Sequence, residues 1–261
     1  MGARVQYPDH FVERLQALWG NGFLSPGGPE EVREIVRGLD LGGKRVLDIG
    51  CGTGGPAIVL AREMAVAEVR AVDVEAPLLA RAAGNAETAG VAAHITFQAV
   101  EPGPLPFPDG SFDAVFSKDA LVHVADKAAM FAEVLRVLRP GGTFAASDWL
   151  GGAETASTPE WQRFCALGEL DFGMATAAET ETMLTAAGFT EVSTRDRNAW
   201  YAALSREEIA RVEGPLRAQL IEAVGEEIYT PWVELRRALA DAVAVGALRP
   251  THLRGLKPES A

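Results

Sequence analysis

The chain holds only four histidines, the side chains whose ordinary pKa of about 6.5 suits them to moving protons near neutral pH. His10 and His252 read as surface residues, and His94 as a loop residue ahead of a strand. His123 is different. It closes the run Phe116-Ser117-Lys118-Asp119-Ala120-Leu121-Val122-His123, just beyond an apolar strand. Ligands of open α/β sheets bind outside the carboxyl ends of the strands, so His123 is a candidate general base. A second constellation is Val46-Leu47-Asp48-Ile49-Gly50-Cys51-Gly52-Thr53-Gly54. Its apolar strand carries an acid, Asp48, ahead of three glycines at alternate positions. Glycine has no Cβ and tolerates φ > 0, which lets such a turn bring backbone against a ligand. The helix-compatible run Pro56–Met64 behind it points N–H groups and a positive dipole end at the same place. Asp73 follows 19 residues after Gly54, at the distance where an acid takes a pair of ribose hydroxyls. A ligand of nucleotide type is implied.

The elements that must hold these residues alternate. Phe11, Leu15, Leu18 and Trp19 share one face of a first helix, and Val32, Ile35, Val36 and Leu39 one face of a second. Pro29 at its first position and Glu30 and Glu31 in its first turn favour a helix start. Strands follow at Arg45–Ile49, Val69–Val74, Ile95–Ala99, Phe112–Ser117 and Thr143–Trp149. Helices are expected at Pro56–Met64, Pro77–Gly90 and Lys127–Leu138, the last closed by Arg139-Pro140-Gly141-Gly142. Later come helices at Thr158–Phe172 and Ala178–Ala187, a strand at Phe189–Thr194 and a largely helical stretch, 200–245. That stretch is expected to break near Gly214-Pro215 and Thr230-Pro231, with a final strand at Ala247–Leu253. This is an α/β chain with a doubly wound, Rossmann-like, mostly parallel seven-stranded sheet. Residues 1–40 read as an N-terminal helical lid, 41–199 as the core and 200–261 as a C-terminal helical segment with a last strand. The three form one structural unit, with a helical insertion before that strand.

Composition narrows the partners. A net charge of −12 argues against a nucleic-acid partner, which normally meets a basic face. Two widely separated cysteines without clustered histidines indicate neither a disulfide framework nor a metal site. With no apolar leader and no long apolar run, the reading is a soluble cytoplasmic protein that acts on a small molecule, away from membranes. Oligomeric state is not legible.

Gly50, Gly52 and Gly55 match G-x-G-x-x-G, so a dinucleotide site is one reading. Asp48 speaks against it, because a carboxylate there would repel a pyrophosphate and suits a cationic ligand end. The order of the glycine run, Asp73, Phe112-Asp113-Ala114-Val115 and Leu138-Arg139-Pro140-Gly141-Gly142 resembles the class I S-adenosylmethionine (SAM) methyltransferases. That resemblance implies SAM as cofactor and S-adenosylhomocysteine as product. Asp48, Gly50, Gly52 and Gly54 would lie along its methionine part, Asp73 on the ribose, and Val74 against the adenine. Glu101, with Pro102, would meet the adenine amino group. Asp113 reads as turn chemistry.

A narrower resemblance rests on Gln6-Tyr7-Pro8-Asp9, on Trp19-Gly20 to Ser25-Pro26-Gly27-Gly28, and on Ser117 to His123. These runs are similar to the phosphoethanolamine (phosphobase) N-methyltransferases. The resemblance implies a hydrogen-bonded dyad of Tyr7 and His123, with Asp119 and Gln6 facing the acceptor. Ser25 and Lys118 would lie near SAM, and Lys118 stands where the family usually has Arg. One departure matters. That family grips the acceptor phosphate with Tyr, Arg and Lys side chains, whereas residues 164–172 contain none of them and carry two acids. The C-terminal Lys position falls near Leu235, beside Arg236 and Arg237. A dianionic phosphate needs charge-assisted donors. The expected acceptor is therefore an amine or amino-acid nitrogen, with Trp149 and Phe164 as cation–π walls and Glu169 beside them. Phosphobase N-methylation, O- or S-methylation of a small molecule, and a SAM-using cyclase or alkyl transfer are the alternatives.

Overall fold

The computed structural model describes residues 7–168 and 174–259. Gln6 and Glu169, both expected near the acceptor, lie outside the described residues. The strands are β1 Arg45–Ile49, β2 Glu68–Asp73, β3 Ile95–Ala99, β4 Phe112–Lys118, β5 Leu138–Gly151, β6 Thr190–Asp196 and β7 Leu248–Leu256. They form one sheet in the order β3-β2-β1-β4-β5-β7-β6. β1 to β5 pair in parallel, with Asp48 of β1 level with Ala71 of β2 and Phe116 of β4. Gly141 N–H donates to Lys257 O and Lys257 N–H to Gly142 O, so β7 runs against β5 there. The order in which strands are added reverses at β1, whose neighbours are β2 on one side and β4 on the other. That switch point opens a crevice at the carboxyl ends of β1 and β4. Both sequence constellations end in it.

The helices are α1 Asp9–Trp19, α2 Gly28–Ile35, α3 Gly55–Glu63, α4 Ala76–Thr88, α5 Lys127–Val137, α6 Pro159–Gly168, α7 Ala177–Ala187, α8 Asn198–Glu213, α9 Arg217–Val224 and α10 Glu226–Ala244. The chain divides into two compact units. One contains the chain as far as Asp148 together with Glu181–Ser193 and the residues from Leu253. The other contains Trp149–Thr180 and Thr194–His252. In the first, Val46, Val69, Ala71 and Ala114 of the sheet bury against Ala57 and Leu60 of α3 and Val32 and Ile35 of α2. β1 is buried on both faces, as its apolar Val46, Leu47 and Ile49 encode, and it carries Asp48 inside with them. α5 starts where Asp126 accepts the Ala129 N–H at 2.9 Å, a side-chain cap. No described helix is long and apolar enough to cross a membrane.

Four details differ from the sequence reading, the first being His252, which is buried in β7 beside Arg195 (Nη2–Nδ1 3.0 Å) and not at the surface. Arg139-Pro140-Gly141-Gly142 is not a free turn but part of β5, which begins at Leu138 opposite Phe112 and shifts register before Thr143 pairs with Ala114. The shift absorbs Pro140, which has no N–H to give a ladder. Pro231 does not break the last helix: it lies inside α10, and the interruption falls at Gly225, φ 82°. Pro231 is the sixth residue of α10, beyond the unpaired donors of the first turn, so the helix continues through it with one i→i−4 bond missing. In α1 the buried stripe is Val12, Leu15 and Leu18, and Phe11 is only half-buried.

Candidate functional site

The glycine loop adopts the backbone its composition demands. Gly50, Gly52 and Gly54 have φ of 73°, 54° and 87°, a region costly to any residue with a Cβ. At Gly50 a Cβ would also sit 2.2 Å from the Ala120 Cβ, so the loop is packed directly on the turn after β4. Asp73 secures the loop: its carboxylate accepts the Gly52 N–H at 2.8 Å and the Glu75 N–H at 2.9 Å. Burial raises its pKa, and those N–H bonds oppose the rise. Val74 beside it is an apolar side chain that is 54% exposed. Glu101 and Pro102 lie on an exposed loop after β3.

Asp48 is buried completely, and neither carboxylate oxygen has a hydrogen-bond partner. Burial, with the Asp73 charge adding to it, pushes its pKa up to about 8. An orphaned carboxylate is costly, and a cationic partner would relieve it. This fits a ligand that brings ammonium or sulfonium charge, as SAM does.

Gly55 is engaged within the protein. Its N–H, the first of α3, donates to Gly22 O at 2.9 Å and is not left for a phosphate. A Cβ at Gly55 would lie 2.5 Å from that carbonyl and 3.0 Å from the Phe23 ring. The third glycine of the apparent fingerprint thus accommodates the N-terminal segment. Around it, Gln16 Nε2 donates to Thr53 Oγ1 (3.1 Å), Asn85 Nδ2 to Thr53 O (2.9 Å), and Asn21 Nδ2 to Asn85 Oδ1 (3.0 Å). Gly55→Ala should destabilise the protein by about 1–3 kcal/mol through overpacking. Urea unfolding measures this, and a midpoint unchanged from the parent would contradict it.

The turn carrying His123 is equally fixed. Lys118 is buried and its ammonium donates to Ser25 Oγ (2.7 Å), Pro26 O (2.9 Å) and Asp119 Oδ2 (2.6 Å). Asp119 Oδ1 accepts from Ser147 Oγ at 2.7 Å, and the Asp119 N–H donates to Ser147 O at 2.7 Å. With these ties Asp119 holds φ 57°, rare outside glycine. Leu121–His123 then form a 3₁₀ turn, held by Val122 N–H to Asp148 Oδ1 (2.9 Å) and by Lys127 Nζ to Leu121 O (2.8 Å). His123 remains exposed on one side, yet burial of the rest of the ring and the Lys127 charge lower its pKa. A group lining an open recess has both properties. Tyr7 Oη lies 3.4 Å from His123 Nε2, at the outer edge of hydrogen bonding. Burial, then the charges of Asp73, Glu75 and Asp119, push the Tyr7 pKa up to about 12.

So Tyr7, His123, Asp119, Lys118, Ser25, the glycines and Asp73 converge on one crevice in the first unit. Ser147, Asp148 and Lys127, which orient the turn, went unread in the sequence. The only signal for the first two was a polar pair at the end of β5. Trp149 and Phe164 belong to the second unit. There Trp149 meets Tyr201 edge-on (centroids 5.1 Å apart) and Phe164 packs on Trp161 (5.7 Å). In the same unit Arg236, beside the expected Lys position, is buried. It donates to Tyr201 Oη (2.8 Å) and pairs with Glu208.

Residues 47–146 match the family model of a methyltransferase domain. Fold, glycine loop and match together define a class I SAM-dependent methyltransferase domain. Within that class the chain lies near the phosphoethanolamine N-methyltransferases. It is 31% identical over 210 residues to phosphoethanolamine N-methyltransferase 1 of Arabidopsis thaliana, covering 80% of this chain and 42% of that protein. It is 29% identical over 242 residues to phosphoethanolamine N-methyltransferase of Triticum aestivum, covering 90% and 46%. The chain therefore spans less than half the length of these relatives. A structure of Haemonchus contortus phosphoethanolamine N-methyltransferase 2 with phosphomonomethylethanolamine and S-adenosylhomocysteine superimposes with TM-score 0.89 at 24% identity, covering 98% of this chain and 59% of that one. At that identity the likeness concerns the fold.

Proposed function

We propose that this protein transfers methyl groups from SAM to the nitrogen of a small amine or amino acid that carries no phosphate. The observation that carries the reading is the Tyr7–His123 contact at the carboxyl end of β4, beside the glycine loop. Bound SAM supplies an electrophilic methyl on a sulfonium sulfur. Gly50, Gly52 and Gly54 would give it backbone contact, Asp48 a counter-charge, Asp73 its ribose acceptor, and Val74, Glu101 and Pro102 the adenine surroundings. The remaining work is proton handling and positioning. An ammonium has no lone pair, so a proton must leave before nitrogen can attack. Tyr7, held as a phenol, can take that proton only while passing its own to His123 Nε2. His123, its pKa lowered, stands ready as the neutral acceptor. Asp119 shapes the acceptor side of the turn, and Gln6, Trp149, Phe164 and Glu169 are assigned to the acceptor on sequence grounds.

Absence of phosphate is supported by residues 164–172, which offer no Arg, Lys or Tyr, and by the engagement of Arg236 with Glu208 and Tyr201. The second reading, phosphobase N-methylation, is favoured by the names of the relatives matched over most of this chain. Mass spectrometry of reactions with SAM and a panel of amines, amino acids and phosphobases separates the two. Methylated amine or amino acid with S-adenosylhomocysteine is expected. Turnover of phosphoethanolamine at low concentration would establish the second reading instead, and methylthioadenosine as product would point to alkyl transfer or cyclisation.

A further inference from the structure

The segment Gly22–Pro26 runs across the glycine loop as a strap. At one end Gly22 O accepts the Gly55 N–H. In the middle a Cβ on Gly52 would come within 3.1 Å of Leu24 Cδ1. At the other end Ser25 Oγ and Pro26 O accept from Lys118. Lys118 is the last residue of β4, and the same ammonium holds Asp119, the first residue of the turn that bears His123. An ammonium has three protons to donate, and the protein takes all three. Lys118 and Asp119 side chains are only 2% and 5% exposed.

We propose that Lys118 is a positioning residue that locks the strap over the cofactor loop and the His123 turn to one another. Its charge is spent inside the protein. The paired Asp119 carboxylate sets the φ 57° corner from which the turn departs. Ser147 fixes the far oxygen of Asp119, so strap, β4 and β5 meet at one buried ion pair. Strap and turn must then loosen together, and releasing either end frees the other. The catalytic meaning of this coupling rests on the Tyr7–His123 reading, whereas the coupling itself does not.

Hydrogen–deuterium exchange on ligand-free protein tests it without any acceptor. Lys118→Met is expected to raise exchange at least tenfold at both 22–26 and 119–124, leaving β2 and β3 unchanged. Lys118→Arg, which keeps a multivalent donor, should restore most of the protection. Ser25→Ala removes one hydrogen bond without stranding a charge, and keeps the test available if Lys118→Met does not fold. It should raise exchange about threefold across the bridge, at 119–124. If Ser25→Ala affects only its own segment, the coupling is overturned. The same holds if Lys118→Met weakens SAM binding with no change in ligand-free exchange, since Lys118 would then be a cofactor contact. Loss of acceptor methylation with exchange unaltered would count against the positioning role and leave the proposed reaction standing.

Discussion

His123→Ala is expected to lower kcat by about 10²–10⁴-fold while changing SAM affinity less than threefold. Tyr7→Phe should lose somewhat less, since it interrupts the passage of the proton and leaves the final acceptor in place. The pH dependence follows from the direction of the His123 shift. As a base the imidazole must be neutral, so the rate rises with pH through its pKa and then levels. Burial and the Lys127 charge lower that pKa, and the plateau should begin below the pH at which an ordinary histidine would give it. Tyr7, with a pKa near 12, stays protonated throughout and should add no second limb below about pH 10. Replacing Lys127 with Met removes the nearby positive charge and should move the rising limb to higher pH. Initial rates from pH 5 to 10 on the preferred acceptor measure all of this. A His123→Ala enzyme within threefold of the parent would remove the histidine from the chemistry.

The sheet was legible because its strands carry the signal themselves. Val46, Leu47 and Ile49, and Ala114–Phe116, place apolar residues on both faces of their strands, as a covered parallel sheet requires, and Asp48 is the one charged exception. What escaped was decided by contacts made far along the chain. Leu138 reads as the end of a helix and Arg139–Gly142 as the turn that closes it, yet pairing with Phe112 and with Lys257 draws the run into a strand. Pro231 reads as a breaker, but Gly225 six residues upstream supplies the interruption first.

At the site the residue types were legible and their partners were not. Lys118 and Ser25 were each read toward the cofactor, and both are hydrogen-bonded to one another. Gly55 read as part of a phosphate fingerprint because spacing cannot tell whether an N–H faces a ligand or a carbonyl of the same chain. Gly22 O, 33 residues upstream, takes that N–H. Asp148 and Lys127 act through a backbone turn, so no spacing rule announces them.

Asp48→Asn should have opposite effects on stability and on cofactor binding, and those effects should separate with pH. The folded-state pKa of about 8 lies above the ordinary 3.8. Below pH 3.8 the carboxyl is protonated folded or unfolded, and its contribution is fully present. Between about pH 4 and 8 the unfolded chain ionises and the folded protein does not, so stability falls as pH rises through this window. Asparagine has the same shape and no such titration. At pH 8 the variant should therefore be more stable by a few kcal/mol, with a melting temperature about 5 °C higher, and the gap should close near pH 4. Cofactor binding runs the other way. If SAM brings positive charge to Asp48, binding favours the ionised carboxyl and releases its proton, so affinity should tighten as pH rises toward 8. The variant should bind SAM at least tenfold more weakly at pH 8 and lose that pH dependence. Calorimetry in buffers of different ionisation enthalpy counts the proton, and melting curves from pH 4 to 9 follow the stability. Equal SAM affinity in both proteins at every pH would leave the orphaned carboxylate without its proposed partner, whatever the melting curves showed. A variant less stable at pH 8 would mean that Asp48 is ionised and already paired in the folded protein.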